Sequence, residues 1–431
     1  MSDIRFEGWL HRSGTGGVYQ DSAGNVGIAS TQPKTRLDIG NGGFQVGPTG
    51  IATVTTVNTT NLINATPLTN RNLIINGAMQ VAQRATSSTA NGYGDLDRWK
   101  HEYAGTDENP TFAQVSLTTS DTPYTLGLTK TAKITNGDQT SDLQASSLIN
   151  FNQQIEAQNI RNSGWDYTSS SSYITLSFWV RASVEQNYHG FVKTADGTNY
   201  IYPYETGTLS ANTWTKITKS IPGNSNLQID DNNGAGFQVW PVAFYGTNYT
   251  NDSITENAWA TWSSGARSED QTATWFTTND STLEITGVQL EVGSVATPFE
   301  HRPVSDELAR CQRYFYNVVD YNDGSHNDAD NNPIPLASYH TTSSLYCHFT
   351  FPVAMRAVPT FVETAGITQH YRAYRGGGTD QFDSFNGGIW VASTKAAIME
   401  ATSGIDGTAG YVAFIKTANS GVKYTAFSAE I

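Results

Sequence analysis

Residues 369–385 concentrate the side chains best suited to recognising a sugar. Tyr371, Tyr374, Phe382 and Phe385 offer flat apolar faces for stacking, while Arg372, Arg375, Asp380 and Asp383 offer planar polar groups that can bond hydroxyls. Gly376, Gly377 and Gly378 mark a turn among them. Aromatic-rich loops on rigid scaffolds carry binding, so these residues are candidate receptor contacts. The plainer alternative is a surface loop whose Arg–Asp pairs contribute little.

A second aromatic group follows Tyr245 and Tyr249. Trp259, Trp262 and Trp275 surround the polar stretch 263–271. Trp259 and Trp262 are candidate stacking platforms in a glycan cleft. Aromatics also close sandwich edges and oligomer contacts, and their dominance in cores favours packing as the reading.

Other chemistry is weakly signalled. Residues 320–332 are rich in Asp and Asn, yet lack the ligand order, the sharp-turn glycine and the terminal Glu of a calcium loop, so a solvated loop is preferred. His340 and His348 lie near one strand, and a symmetric oligomer could build a metal site from one such His per chain. No cofactor or metal is expected. Gly-x-Ser-x-Gly, P-loop, dinucleotide and His-Glu-x-x-His motifs are absent. Glu284, Glu291, Asp380 and Asp383 are only nominal glycosidase carboxylates, because the required separation is spatial. The repeats of a long parallel β-helix are not evident. A binding protein rather than an enzyme is expected.

The elements that must position these residues read as β. The chain has 431 residues with a charged fraction of 15%, against roughly 25% in ordinary domains. Thr, Ser, Asn and Gly fill the gap, and i, i+4 charge pairs typical of helical surfaces are scarce. The length predicts several domains. A net charge of −14 disfavours a nucleic-acid partner, which needs a basic field, and none is expected. The N-terminal residues show no signal peptide, and no apolar run is long enough to span a membrane. Cys311 and Cys347 are expected to be reduced and buried.

A turn entering a short strand is predicted over residues 21–28 and short strands over 35–39 and 44–46, followed by an uncharged Thr/Asn/Val run from Ile51. That run is either a linker or a segment ordered when several copies wrap together. Ile174, Leu176, Phe178 and Val180 alternate on one face of a strand, and residues 214–221 and 283–292 repeat the pattern. One helix is predicted with Ser305 as N-cap and Asp306 and Glu307 in its first turn. A further strand is predicted over residues 344–351, broken at Pro352.

Several motifs occur together in a specific order. Asn72-Leu-Ile-Ile-Asn-Gly-Ala-Met-Gln-Val-Ala-Gln-Arg84 followed by Leu96-Asp-Arg-Trp99 resembles the start of a domain of bacteriophage tail-fibre and related structural proteins. Gln289-Leu-Glu-Val-Gly-Ser-Val-Ala-Thr-Pro-Phe-Glu-His-Arg302 resembles its closing strand and exit. Asp306-Glu-Leu-Ala-Arg-Cys-Gln-Arg-Tyr-Phe315 and Phe351-Pro-Val-Ala-Met-Arg-Ala-Val-Pro-Thr360 resemble the module that follows. The first module is similar in layout to carbohydrate-binding jelly rolls. The segment around Gly24-Asn-Val-Gly-Ile28 resembles a fibre-shaft repeat, but it is a single copy with Ala29 where the repeat has glycine.

The resemblance implies a virion tail fibre, made in the host cytoplasm, forming homotrimers and recognising the host surface. The expected organisation is an all-β chain. It has a short β attachment segment (1–70), a central jelly-roll β-sandwich (71–303), then one short linking helix with a C-terminal receptor-binding-type β-sandwich (304–431). The implied partners are the chain itself, a tail or adaptor protein at the N-terminus, and a host glycan or outer-membrane receptor. Leu308, Cys311 and Phe315 are expected to face their copies in the trimer. The alternatives are a glycan depolymerase tailspike and a purely structural fibre connector.

Overall fold

The structure, a computed structural model, describes residues 70–139, 143–319, 332–418 and 424–431, with the backbone of short strands between residues 8 and 46. The chain divides into two units, Met1–Ala65 and Thr66–Ile431. In the first, Gly8–Leu10, Gly17–Gln20 and Val26–Ile28 form an antiparallel sheet, and Leu37–Gly40 pairs with Gly43–Val46. The strands expected near residues 26, 37 and 44 are present, and two earlier ones join them. The Thr/Asn/Val run from Ile51 and the Asp/Asn-rich residues 320–331 lie outside the described residues.

The second unit opens with a β-sandwich of two six-stranded antiparallel sheets. One sheet runs Thr215–Pro222, Tyr173–Ala182, Thr282–Val292, Lys130–Thr135, Thr111–Ser116, Ser87–Ser88. The other runs Ala260–Thr261, Tyr200–Leu209, Gln186–Thr194, Ala235–Tyr245, Leu148–Glu156, Lys100–Ala104. The period-two alternation of Ile174, Leu176, Phe178 and Val180 turns all four into the core, against Phe151, Val192, Tyr204, Phe237 and Val239 of the opposite sheet. Burying each such side chain stabilises by roughly 1.5–3 kcal/mol. Gly287, at φ +62°, sits where the Thr282–Val292 strand shifts register against Tyr173–Ala182. The positive φ favours glycine, and a Cβ there would also lie 2.7 Å from Leu128 Cδ1 and have to displace that methyl.

The start and exit motifs of the sandwich clasp each other. Asn72 Oδ1 accepts from the Leu290 amide at 3.0 Å, and Asn72 Nδ2 donates to the Val288 carbonyl at 3.1 Å. Glu300 accepts the backbone N–H groups of Arg71 and Asn72, and Arg302 donates to the carbonyls of Ile74 and Asn72. Asn76 closes a loop around Val81 and Asp97, and the Trp99 indole donates to its carbonyl at 3.1 Å. The two motifs form one polar knot.

The helix spans Val304–Gln312, with Pro303 rather than Ser305 at the N-cap. Ser305 therefore does not cap, because Pro303 already sets the entry and the hydroxyl lies inside the first turn. Glu307 turns inward, accepts the Asn76 amide at 2.5 Å and pairs with Arg302 at 3.3 Å. Cys311 is fully buried, and Phe315 is buried under the Arg84 guanidinium, 3.5 Å from its ring centroid. These two expected trimer contacts are thus enclosed within the chain itself, while Leu308 stays half-buried. Both Cys311 and Cys347 are free and buried.

The C-terminal sandwich has a seven-stranded sheet and a three-stranded sheet. The larger runs Gly378–Phe382, Tyr371–Arg375, Val412–Thr417, Pro333–Thr341, Ser344–Thr350, Ala396–Ala401, Gly388–Ala392. The smaller runs Phe315–Asn317, Thr425–Ser428, Thr360–Glu363. Phe349, Tyr371, Phe382, Phe385 and Phe427 share its core. Charged groups join the two sandwiches. Arg313 grips Glu156 at 2.7 and 2.8 Å, and the Tyr314 hydroxyl donates to Glu156 at 2.5 Å. Arg98 bonds Glu430 and the Gln154 carbonyl while lying 3.5 Å over the Tyr314 ring. Among the described residues, no helix is long and apolar enough to cross a membrane.

Candidate functional site

The residues expected from 369–385 form a hairpin, Tyr371–Arg375 with Gly378–Phe382, and its alternation sorts them. Tyr371, Phe382 and Phe385 point into the core at 0%, 2% and 3% exposure, which removes them as receptor contacts. Their aromatic surface fills the sandwich instead. Asp380 is buried as well, accepting from the Tyr339 hydroxyl at 2.6 Å, from Arg375 at 3.2 Å and from the Asp406 amide at 3.1 Å. Asp383 accepts the Gln369 amide at 2.6 Å. Tyr374 faces outward and is exposed, and Arg372, half-buried, lies on the same face of its strand. Hydrogen bonding by Arg372, with Lys416 adding to it, holds the Tyr374 hydroxyl below its usual range.

That outward face carries residues the sequence did not single out. Phe414 lies opposite Tyr374 and is 70% exposed, with exposed Val412 on the same strand and Leu336 on the next. Further along, His340 stacks on Tyr346 at 4.7 Å, and Trp390 follows at 5.2 Å from Tyr346. His340 is thereby a stacking partner, and no cluster of metal-ligating side chains occurs among the described residues. His348 is exposed on the same strand as Tyr346.

The central sandwich assembles a more complete constellation. On its Gln186–Thr194 strand, Val192 enters the core, so Phe191 and Lys193 point away from it. The neighbouring strand Ala235–Tyr245 brings Trp240, stacked on Phe191 at 4.3 Å, and Gln238 beside Lys193. Residues 246–271 then cross this outer face. They are pinned by backbone bonds from Trp262 to Asn199 at 2.9 Å, Arg267 to Tyr249 at 2.8 Å and Asn251 to Ser268 at 2.9 Å. Loop and sheet share a small apolar cluster of Phe191, Ile201, Trp240, Ala243, Tyr245 and Ile254.

The result is an aromatic and cationic cluster at the rim of that face. Lys193 Nζ lies 4.6 Å from the Trp262 ring centroid, and the Arg267 guanidinium lies 5.4 Å from the same centroid. Arg267 also stands 4.5 Å from the ring of Tyr249 and 4.7 Å from that of Tyr245. Its Nε donates to the Ser264 carbonyl at 3.2 Å, and Lys193 donates to Gln238 at 3.4 Å. Burial and the Arg267 charge lower the Lys193 pKa, with Glu102 opposing. Among the described residues neither cation makes an ion pair. The half-buried Trp262 ring and two cations with spare N–H groups can hold a sugar ring and its oxygens.

Trp262 is the expected residue that enters this cluster. Trp259 donates to the Pro222 carbonyl at 2.7 Å and meets Tyr202 edge-on at 5.4 Å, a packing role. Trp275 is buried and donates to Thr282. Lys193 carried no local signal, since it lies in a strand far from Trp262 in sequence. Arg267 lay in the polar stretch 263–271 with nothing to separate it from its neighbours.

The nominal carboxylates are engaged. Glu284 accepts a two-pronged bond from Arg181 at 3.0 and 2.9 Å, and Glu291 accepts from the Thr297 amide and hydroxyl at 2.8 and 2.6 Å. A cleft of about 570 Å³ opens between the sandwiches, lined by Arg84, Ser88, Tyr93, Phe315, Thr364 and Tyr424. Arg84 there is committed to Glu430 at 3.1 Å.

No family model matches the chain, and no curated protein matches it. Among solved structures, the enzymatically active domain of tailspike protein 4 of bacteriophage CBA120 is similar over 52% of this chain and 21% of that one, at 12% identity and TM-score 0.28. The family 11 carbohydrate-binding module of Clostridium thermocellum, in complex with a mixed-linked tetrasaccharide, is similar over 49% of this chain and 98% of that one, at 9% identity and TM-score 0.23. The match thus spans about a fifth of the tailspike chain's length.

Proposed function

We propose that this chain is a non-enzymatic tail-fibre protein of a bacteriophage virion that recognises glycan on the host surface. The observation that carries the reading is the cluster of Trp262, Tyr249, Lys193 and Arg267 on the rigid outer face of the central sandwich. A flat ring stacks on the apolar face of a sugar while fixed N–H donors bond its oxygens. The ordered series of motifs between Asn72 and Thr360 supports the virion setting. In this reading residues 1–70 attach to the tail, three chains associate, and the outward Arg372 and Tyr374 of the C-terminal sandwich add a second contact surface. Three modest sites per fibre gain strength through effective concentration.

The test is adsorption. Purified protein should bind host cells, compete with the virion for them, and leave the host polysaccharide at its original chain length. Failure to bind any cell that the virion adsorbs to would sink the reading. Shortened polysaccharide would replace it with a depolymerase.

A further inference from the structure

We infer that the Trp262 site takes an acidic sugar, one bearing a carboxylate or phosphate, rather than a neutral glycan. This rests on the glycan-binding reading of the same site. The argument begins with charge. The chain carries a net −14, yet Lys193 and Arg267 converge on one indole without an ion-pair partner among the described residues. Among nearby acids, Glu102 bonds Lys100 at 3.0 Å and acts on Lys193 only from beyond ion-pair distance, and Asp270 bonds the Thr250 hydroxyl and is exposed.

Two like charges at a shared ring repel each other; burial first, and the Arg267 charge second, lower the Lys193 pKa, with Glu102 opposing. Such an arrangement is costly for the free protein unless a ligand supplies the missing negative charge. An anionic group between the ammonium and the guanidinium relieves the repulsion and gains charge-assisted hydrogen bonds. A neutral sugar would satisfy the donors and leave the repulsion in place. Arg267 suits an oxyanion in particular, because its Nε is held by the Ser264 carbonyl and its planar guanidinium, lying against Tyr245 and Tyr249, presents terminal N–H donors in a fixed direction. The backbone ties at Trp262 and Arg267 fix the loop before ligand arrives, so little ordering cost falls on binding.

The experiment uses the full chain on an array of bacterial surface polysaccharides. Each acidic member is printed beside its carboxyl-reduced or dephosphorylated counterpart. Wild type, Trp262→Ala, and the double variant Lys193→Gln with Arg267→Gln are compared, with thermal unfolding of each as a check on the fold. The expected result is binding confined to acidic members. It should fall tenfold or more on reduction or dephosphorylation, be lost in Trp262→Ala, and weaken at least tenfold in the double variant. Which treatment abolishes binding tells carboxylate from phosphate. Equal binding to treated and untreated members, or acidic binding unchanged in the double variant, overturns the charge inference. If Trp262→Ala still loses that binding, glycan recognition stands without it. Wild-type protein bound to no member overturns both.

Discussion

Two tyrosines of one hairpin illustrate how a single residue step decides a role. Tyr371 is fully buried, sharing its hydroxyl with Glu363 at 2.9 Å and Thr425 at 2.8 Å. Tyr374, three positions on, faces outward beside Phe414. Tyr371→Ala should cost about 3–5 kcal/mol, as large aromatic truncations in cores do. Tyr374→Ala should stay within roughly 0.5 kcal/mol, as exposed substitutions do. Urea unfolding of the two variants checks both. Comparable losses would show that the hairpin is not sorted as described. The identity of these residues was plain in the sequence, but their face was not. The residues supply the stacking and hydrogen-bonding chemistry in either orientation, and only the register against Val412–Thr417 and Gly378–Phe382 turns Tyr371, Phe382 and Asp380 inward.

At the scale of elements, the junction between the sandwiches is built from buried charge. Glu156 is fully buried; burial raises its pKa, but hydrogen bonds from Arg313 and Tyr314 outweigh this and hold the carboxyl below its ordinary range. Its contribution is therefore present above the unfolded pKa and is lost as pH falls through the folded one. Removing one partner leaves the other uncompensated, so Arg313→Ala should destabilise by about 3 kcal/mol in thermal unfolding. A change under about 0.5 kcal/mol would show that Glu156 is solvated instead.

The smaller sheet of the C-terminal sandwich gives an opposite pH signature. Burial pushes Glu363 up to about 7, against a hydrogen bond from Tyr371 that lowers it. The folded state binds this proton more tightly than the unfolded state, so stability from this group falls as pH rises from the ordinary carboxylate range towards 7. Burial pushes His370 down to about 4, with Asp383 opposing, and its contribution runs the other way over the range below 6.5. Glu363→Gln keeps an acceptor for Tyr371 but removes the titration. It should be more stable than wild type at pH 7 by about 1–2 kcal/mol, allowing for partial solvent contact, with the gap closing by pH 4. A pH-independent difference would contradict the assignment.

The elements themselves were largely legible, because period-two alternation over Tyr173–Ala182 and Thr282–Val292 marks a strand and its core face, although the structure buries the polar face of both strands as well. The clasp of Asn72 with Glu300 and Arg302 explains why two distant motifs occur together. The burial of Cys311 and Phe315 is not legible in the sequence, because the helix ends at Gln312, Phe315 opens a strand, and an apolar stripe does not say which neighbour covers it. Here Arg84, a cation from the other sandwich, covers Phe315. Lys193 was illegible for a related reason. Its partner Trp262 comes from a crossing loop, and only tertiary structure joins them.

For the molecule as a whole, the proposed trimer would repeat weak sites by symmetry. If three chains associate, light scattering of the full chain should give three times its monomer mass. Its affinity for a polysaccharide surface should exceed that for a short oligosaccharide by a factor on the order of 100 or more. A monomeric mass would confine recognition to single-site strength. The most direct measurement of the central claim titrates host surface polysaccharide into wild-type protein and into Trp262→Ala by calorimetry, well below either unfolding transition. The account predicts saturable binding to wild type and at least tenfold weaker binding to the variant, the loss of about 1.4 kcal/mol or more that an aromatic anchor carries. Equal affinity of the two proteins would contradict it.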